Sequence, residues 1–202
     1  PLLRAGDGNW KHWNGQVFAE FARVDVSQLR HHADVGIEVA QGRGALRAWA
    51  DVRGGQIVGG TADLALADVN TTLSPDLQAL VLPSIQGRLG GRRLNGGFEF
   101  STQGLQFQTD DGLTWPGGNL RLIHTAATGK APEQGEFRAD RLDLAALAQI
   151  ASRLPLGPTA HDAVRTYTPE GLVDEIQATW KGPLDALQQY QVKGRIRGLA
   201  LA

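Results

Sequence analysis

The sequence predicts a mainly β protein, an antiparallel sheet accompanied by one amphipathic helix and one or two short helical turns. Two observations favour this fold class: apolar and polar residues alternate along many short segments, and glycine-rich or asparagine-containing turns separate those segments. The 26 Gly and 9 Pro exceed the average content of a globular protein but fall short of a low-complexity chain. The chain is therefore expected to fold, with about eight to ten strands of ordinary length.

The clearest strand lies between residues 190 and 197. Tyr190, Val192, Gly194 and Ile196 alternate there with four polar residues. Because successive side chains of a strand point to opposite faces of a sheet, this segment has one apolar and one polar face. Similar alternation occurs in residues 46–53, 98–101, 105–108 and 172–181. In the last of these, the pattern places Leu172 on the face of Ile176.

The segments between the strands have the composition of hairpin turns. Gly54-Gly55, Asn95-Gly96-Gly97 and Asp110-Asp111-Gly112 supply residues that tolerate positive φ. Residues 117–119 and 128–134 are expected to form longer connections. Strands that follow one another in the chain are therefore predicted to pair as a meander.

Helical signals are fewer. Asp143 is a candidate N-cap for a helix over residues 144–154, which carries apolar residues at helical spacing and is followed by Pro155. Asp25 and Gln28 have the composition of a capping box and predict a short turn through His32. A second short turn is predicted after Ser74-Pro75, through Leu77, Leu80 and Val81.

An internal repeat connects the two ends of the chain. Residues 23–29 (RVDVSQL) and 141–147 (RLDLAAL) share the pattern Arg, apolar, Asp, apolar, two spacers, Leu. A short pattern can recur by chance, but both copies follow a strand-like segment and precede a hairpin, which favours a repeated module. We expect the end of one module and the start of the next in residues 1–34, a meander in 35–134, and a further module opening in 135–202.

Composition argues against several functional classes. The net charge of −1 gives no support for nucleic-acid binding, and the absence of Cys excludes thiol chemistry and disulfides. No nucleotide-binding glycine motif, serine-hydrolase elbow or His-Glu-x-x-His spacing is present, and the adjacent His31 and His32 are expected to be solvated. Asp110-Asp111 is interpreted as turn chemistry rather than an acid pair. No catalytic residue, metal or cofactor is therefore expected.

The chain has features of a piece of a longer polypeptide. It contains no Met, begins at Pro1, and has no apolar stretch of the roughly 18 residues needed to span a membrane. Removal of an initiator Met is an alternative origin for the Pro1 terminus. Any membrane anchor is expected to lie outside this segment.

Four stretches resemble a known family. They are residues 44–67 (GALRAWADVRGGQIVGGTADLALA), 86–100 (QGRLGGRRLNGGFEF), 111–116 (DGLTWP) and above all 138–155 (RADRLDLAALAQIASRLP). Together they resemble the YhdP-type proteins of the AsmA-like superfamily, over about residues 15–202. The resemblance implies a periplasmic segment of an inner-membrane-anchored protein of Gram-negative bacteria, in which repeated modules form an extended, twisted sheet with a hydrophobic groove.

The same resemblance implies a non-enzymatic role in phospholipid transport between the inner and outer membranes, with acyl chains, the membrane and flanking modules of the same chain as partners. A dry face is physically suited to that role, since each CH₂ kept from water contributes about 0.8 kcal/mol. The candidate groove residues are Leu46, Ala48, Leu64, Leu66, Phe98, Phe100, Leu105, Phe107, Leu120, Leu122, Ile176, Trp180, Val192 and Ile196. For each of them an ordinary core position is the alternative.

Two other functional readings stay open at this stage. A structural or scaffold module of the envelope would use the same strands with the apolar face closed by packing, and a sugar-active enzyme would need a pair of carboxylates that the sequence does not display. Arg88, Arg92 and Arg93 form the densest basic cluster. Arg88 and Arg92 are predicted to share a strand face, which is either a solvated outer face or a contact for a phospholipid headgroup.

Overall fold

The computed structural model describes residues 10–26, 38–129 and 131–200. The strands are β1 (Gly15–Asp25), β2 (Glu38–Arg53), β3 (Gln56–Thr72), β4 (Leu80–Leu94), β5 (Gly97–Gln108), β6 (Thr114–Trp115), β7 (Leu120–Thr125), β8 (Gln134–Asp143), β9 (Glu170–Lys181) and β10 (Gln189–Ala200). The helices are α1 (Leu144–Ile150) and α2 (Pro158–Tyr167), with short 3-10 turns at Trp10–His12 and Ala151–Arg153. The predicted mainly β class and the strand number are confirmed.

All ten strands belong to one open antiparallel sheet. Its order is β1-β2-β3-β4-β5-β7-β8-β9-β10, and the short β6 pairs with the far end of β5. Consecutive strands are thus neighbours, as the turn chemistry predicts. Gly54, Gly55 and Gly96 adopt positive φ at the two tightest hairpins, where a side chain would be strained.

A bulge in β5 keeps the apolar residues of that strand on one face. Phe98 and Phe100 are even-numbered, whereas Leu105 and Phe107 are odd-numbered, so a regular strand would place the pairs on opposite faces. The register against β4 shifts by one residue between Gln86 and Arg88, and Gly104 occupies the shift with φ 57°. The extra residue restores the alternation, so that all four side chains share a face.

A second bulge corrects one detail of the predicted pattern. Glu175 has φ 52°, and the register of β9 against β10 shifts between Lys193 and Arg195. Val173 therefore pairs with Ile196 and is buried, whereas Leu172 pairs with Arg197. The prediction that Leu172 shares the face of Ile176 was wrong. It assumed a regular strand, whereas the extra residue at the bulge exchanges the faces of the residues that precede it.

The predicted N-cap of α1 is confirmed. The Asp143 carboxylate accepts a hydrogen bond of 3.0 Å from the Ala146 backbone N–H. The α-helix ends at Ile150, the 3-10 turn continues to Arg153, and the chain leaves the helical region before Pro155. Arg141-Leu142-Asp143 thus closes strand β8, just as Arg23-Val24-Asp25 closes β1.

Other helical features differ from expectation. The helix α2 was not predicted, since Gly157 precedes it and supplies no side-chain cap. The predicted turn after Ser74-Pro75 is wrong as a helix: Leu77 N–H bonds to Ser74 O in a tight turn, and Leu80 already begins β4. Most of the predicted turn through His32 lies outside the described residues.

The two clusters of buried apolar side chains are small and lie at one end of the sheet, whereas Val52 is buried beside the β2–β3 turn at the other end. One cluster contains Val69, Leu80 and Leu82, and a second contains Leu113, Ala146 and Ile150 from the β5–β6 turn and α1. The whole chain exposes 13469 Å², whereas a compact protein of this mass exposes roughly 9,200 Å². This excess is the expected property of an open sheet rather than a closed core.

The Asp143 cap leads to a testable prediction. Asp143→Ala should lower the free energy of unfolding by about 1 kcal/mol, because the Ala146 N–H loses its acceptor at the start of the helix. Asp143→Asn should retain most of the stability, since an amide oxygen caps equally well. Urea denaturation of the two variants measures the difference, and equal losses would contradict the capping role.

Candidate lipid-binding face

One face of the sheet carries an uninterrupted apolar row that crosses nine strands. Each member is the direct cross-strand partner of the next. In strand order this central row consists of Val17, Ala50, Gly60, Gly91, Phe100, Leu122, Phe137, Ala178 and Val192. With strands about 4.8 Å apart, the row is about 38 Å long. We call the surface that contains it the apolar face.

The adjacent row is almost as apolar. It contains Ala19, Ala48, Ala62, Leu89, Thr102, Leu120, Ala139 and Ile176. Thr102 is buried, and its hydroxyl oxygen accepts a hydrogen bond from the Leu120 N–H at 3.3 Å. The one polar side chain of the row is therefore buried and has a hydrogen-bond partner within the sheet.

The fourteen candidate groove residues occupy two different environments. Phe98, Phe100, Val192 and Ile196 are exposed, at 45%, 38%, 59% and 54% of their maximal surface. The other ten are half-buried. Leu66 and Phe107 pack against the buried cluster of Val69, Leu80 and Leu82 and thus belong to the covered end of the face. The remaining candidates extend from that end toward the hairpin turns.

A shallow hollow of about 470 Å³ opens on the apolar face between β2 and β5. Its floor consists of small residues, and larger side chains stand around it. The lining on this face includes Ala50, Ile57, Gly60, Ala62, Leu89, Gly91, Arg93 and Phe100. The local sequence had indicated the alternation but not this hollow, because the hollow depends on which residues become neighbours across four strands.

The opposite face is mostly polar and is held by cross-strand ion pairs, with one aromatic pair, Phe18 and Trp49, whose ring centroids lie 5.2 Å apart. Arg47 bonds to Glu20 at 2.7 Å, and Arg88 donates to Asp63 at 2.8 Å through Nη2. The carboxylate of Glu99 accepts from both Arg92 and Arg121 at 2.7 Å. The residues of each ion pair are cross-strand partners or neighbours in the strand register. The strand pairing therefore brings the opposite charges together on this face. We call this surface the polar face.

The comparisons with known proteins identify the family. The model of the family described as "YhdP protein" matches residues 4–202. The chain belongs to the YhdP family. No match was found to a curated protein or to a solved structure. The resemblance seen in the sequence is thus confirmed.

Membership of the YhdP family implies an envelope protein related to lipid transport. The family assignment does not by itself name the residues that would contact a lipid. Among the described residues, the apolar face is the candidate for that contact, because its central row is continuous, contains no charged side chain and includes the exposed Val17, Phe100 and Val192.

The arginine cluster divides between the two faces. Arg88 and Arg92 share the polar face as predicted, and each is bound to a carboxylate there. Arg93 is the cross-strand partner of Phe98 and therefore projects from the apolar face. Arg93 was named from the sequence as part of the basic cluster but was not assigned to a face, although the alternation of adjacent residues in a strand predicts that Arg92 and Arg93 point to opposite faces.

Other candidate features have simple structural roles. Asp110 and Asp111 form the predicted turn, closed by the Gly112 N–H bonding to Thr109 O at 3.1 Å, and Asp111 accepts from Arg153. His31 and His32 lie outside the described residues.

Across residues 10–26, 38–129 and 131–200, no three acidic or histidine side chains are grouped to hold a metal ion. No helix within those ranges is long and apolar enough to cross a membrane.

Glu99 gives a pH-dependent prediction for the polar face. The hydrogen bond from Arg121, joined by a second from Arg92, lowers the pKa of Glu99 despite its partial burial. A lowered folded-state pKa adds stability above the pKa of an unfolded glutamate, about 4.3, and that stability disappears as the pH falls through the folded value. Since both arginines are well exposed, the contribution is at most about 1 kcal/mol.

Glu99→Gln should therefore reduce the free energy of unfolding at pH 7, and the difference from wild type should shrink on acidification to pH 3. Urea denaturation at both pH values measures it. Glu170→Gln is the control, because Glu170 is exposed and has no ion-pair partner among the described residues. A difference that is the same at pH 3 and pH 7 would contradict the assignment.

Proposed function

We propose that this chain is a non-enzymatic segment of a periplasmic phospholipid-transport protein, which shields acyl chains on its apolar face as they pass between the inner and outer membranes. The central row carries the proposal. An acyl chain needs a continuous dry surface rather than a specific polar pocket, since the stabilisation scales with the number of methylenes removed from water. The nine-strand row offers such a surface without a charged interruption.

The difference in polarity between the two faces also supports a role in shielding acyl chains. Ion-paired and amide side chains on the polar face keep that side in water, while the exposed Val17, Phe98, Phe100, Val192 and Ile196 lie on the other. Phe18 is the exposed aromatic residue on the polar face, where it contacts Trp49. A contiguous apolar surface of this extent on a soluble protein usually marks a binding surface. The small residues of the central row near β2, β3 and β4 leave room for an extended ligand.

The proposal includes partners beyond the lipid. Strands β1 and β10 are the edges of the described sheet, and unpaired strand edges accept further strands. We place flanking modules of a longer chain at these edges, with the inner-membrane anchor outside this segment. The repeat at residues 23–29 and 141–147 supports growth of the sheet by modules, and the module boundaries near residues 34 and 134 remain predictions.

Photocrosslinking in bacterial cells tests the proposal. A benzophenone amino acid at position 98 or 196 stands on the apolar face, whereas at position 103 or 193 it stands on the polar face. We expect phospholipid adducts, detected by mass spectrometry, at 98 and 196 only. Adducts within the protein alone, or equal lipid adducts at all four positions, would contradict transport along the apolar face and favour the scaffold role.

A further inference from the structure

The row next to the central row, at the end of the sheet far from α1, differs in chemistry. Its members are again direct cross-strand partners: Arg93, Phe98, His124, Gly135, Trp180 and Tyr190. We call it the rim row. It crosses six strands, about 24 Å at the usual strand spacing. Four of its side chains combine an apolar body with a polar or charged tip, whereas the central row beside it has none.

Arg93 is the most unusual member. It is exposed on the apolar face, lines the hollow of about 470 Å³, and has no ion-pair partner among the described residues. Arg88 and Arg92, by contrast, are both bound to carboxylates on the polar face. A guanidinium that has no carboxylate partner among the described residues and lies beside an apolar hollow fits a ligand that has an anionic group next to an apolar part. Its planar fork suits a phosphate group in particular.

The other rim side chains are held in place. The His124 ring stacks on Phe98 with centroids 5.3 Å apart, and its Nε2 lies 3.0 Å from the Glu133 Oε1. The Trp180 ring covers Gly135 so closely that a Cβ at position 135 would lie 1.9 Å from it. The Trp180 indole N–H is buried and has no hydrogen-bond partner among the described residues, so Trp180 acts as an apolar cover. Tyr190 is 74% exposed, and its amphipathic side chain is typical of boundaries between lipid and water.

We infer that the rim row is the headgroup contact of a bound membrane phospholipid, with Arg93 as the residue that binds the phosphodiester. The acyl chains then lie over the hollow and the central row, and the headgroup stays at the water boundary beside the hairpin turns. The charge complementarity of Arg93 selects the phosphodiester as occupant, and the adjoining apolar rows select a lipid rather than a free phosphate. This inference rests on the proposed function.

Two fluorescent probes test it on the purified 202-residue chain. One is NBD-labelled phosphatidylglycerol, and the other is NBD-labelled diacylglycerol with the same acyl chains and no phosphate. The test variant is Arg93→Gln. The matched control is Arg53→Gln, which removes the same charge from an exposed residue at the same end of the sheet but on the polar face. Arg53 also has no ion-pair partner among the described residues.

We expect Arg93→Gln to raise the Kd of the phosphatidylglycerol probe about tenfold, the usual effect of losing one charged hydrogen bond. Binding of diacylglycerol should stay within twofold, and Arg53→Gln should change neither probe. If wild type binds both probes and Arg93→Gln alters neither, or weakens both equally, the headgroup assignment is wrong while the apolar face stands. If wild type binds neither probe, the proposed function itself fails and the inference falls with it.

Discussion

Leu82→Asp is expected to unfold the covered end of the sheet. Leu82 is 2% exposed and packs with Val69 and Leu80, against Leu66 and Ile85. Truncation of a buried leucine alone costs about 2–5 kcal/mol, and an uncompensated carboxylate in the same place adds a desolvation cost. The total of about 5 kcal/mol or more equals much of the stability of a natural domain.

Circular dichroism during urea denaturation measures this effect. The expected result is a midpoint displaced far toward low urea, or the loss of a cooperative transition. Leu82→Met is the matched control, since a volume-conserving apolar change usually costs less than about 1.5 kcal/mol. If Leu82→Asp unfolds within about 1 kcal/mol of wild type, the covered end is not the core of this protein.

The strands and their order could be predicted from the sequence because the patterns that determine them are local. Alternation fixes which residues of one strand share a face, and the glycine-rich turns fix which strands are neighbours. The Asp143 cap was also readable, since its hydrogen bond reaches only three residues along the chain. The agreement at Phe98, Phe100, Leu105 and Phe107 depended on Gly104, whose position in the middle of an apolar pattern is itself a signal for a bulge.

Features that depend on the register between paired strands could not be predicted from the sequence. Glu175 adopts positive φ although nothing in its side chain calls for it, so the exchange of Leu172 for Val173 on the apolar face could not be foreseen. Likewise, the central row exists only after nine strands have been aligned, and the rim row only after six. Arg93 joins Phe98 and His124 through pairings with residues up to 31 positions away, and single-strand patterns contain no information on such partners.

The solvent exposure of the apolar side chains therefore distinguishes a packed core from an open groove. It also distinguishes the two main functional hypotheses, a scaffold module and a lipid-binding segment. A scaffold module would close the apolar face by packing, so every apolar residue on it would behave like Leu82. A lipid-binding segment would keep the central row accessible while a small core at one end maintains the fold. Among the described residues, Phe100 is 38% exposed and Leu82 is 2% exposed, which is the difference in exposure that the lipid-binding proposal requires.

Phe100→Asp should weaken lipid binding strongly while the protein remains folded. Phe100 lies in the middle of the central row, between Gly91 and Leu122, and its 38% exposure allows a carboxylate at this position to reach water. The expected loss of stability is about 1–2 kcal/mol, well below the cost of a fully buried aromatic residue. A charge here would keep two or three methylenes of an acyl chain in contact with water, and at about 0.8 kcal/mol each this weakens binding roughly thirtyfold.

The measurement is the amount of phospholipid per mole of purified protein, determined by mass spectrometry, together with a urea denaturation curve for the same sample. Ser101→Asp is the matched control, because the neighbouring residue faces Arg121 on the polar face and should leave both quantities unchanged. Unfolding of Phe100→Asp to the extent expected for Leu82→Asp would mean that packing closes the face, which favours the scaffold role. Normal lipid loading in a folded Phe100→Asp protein would mean that acyl chains do not cross the central row.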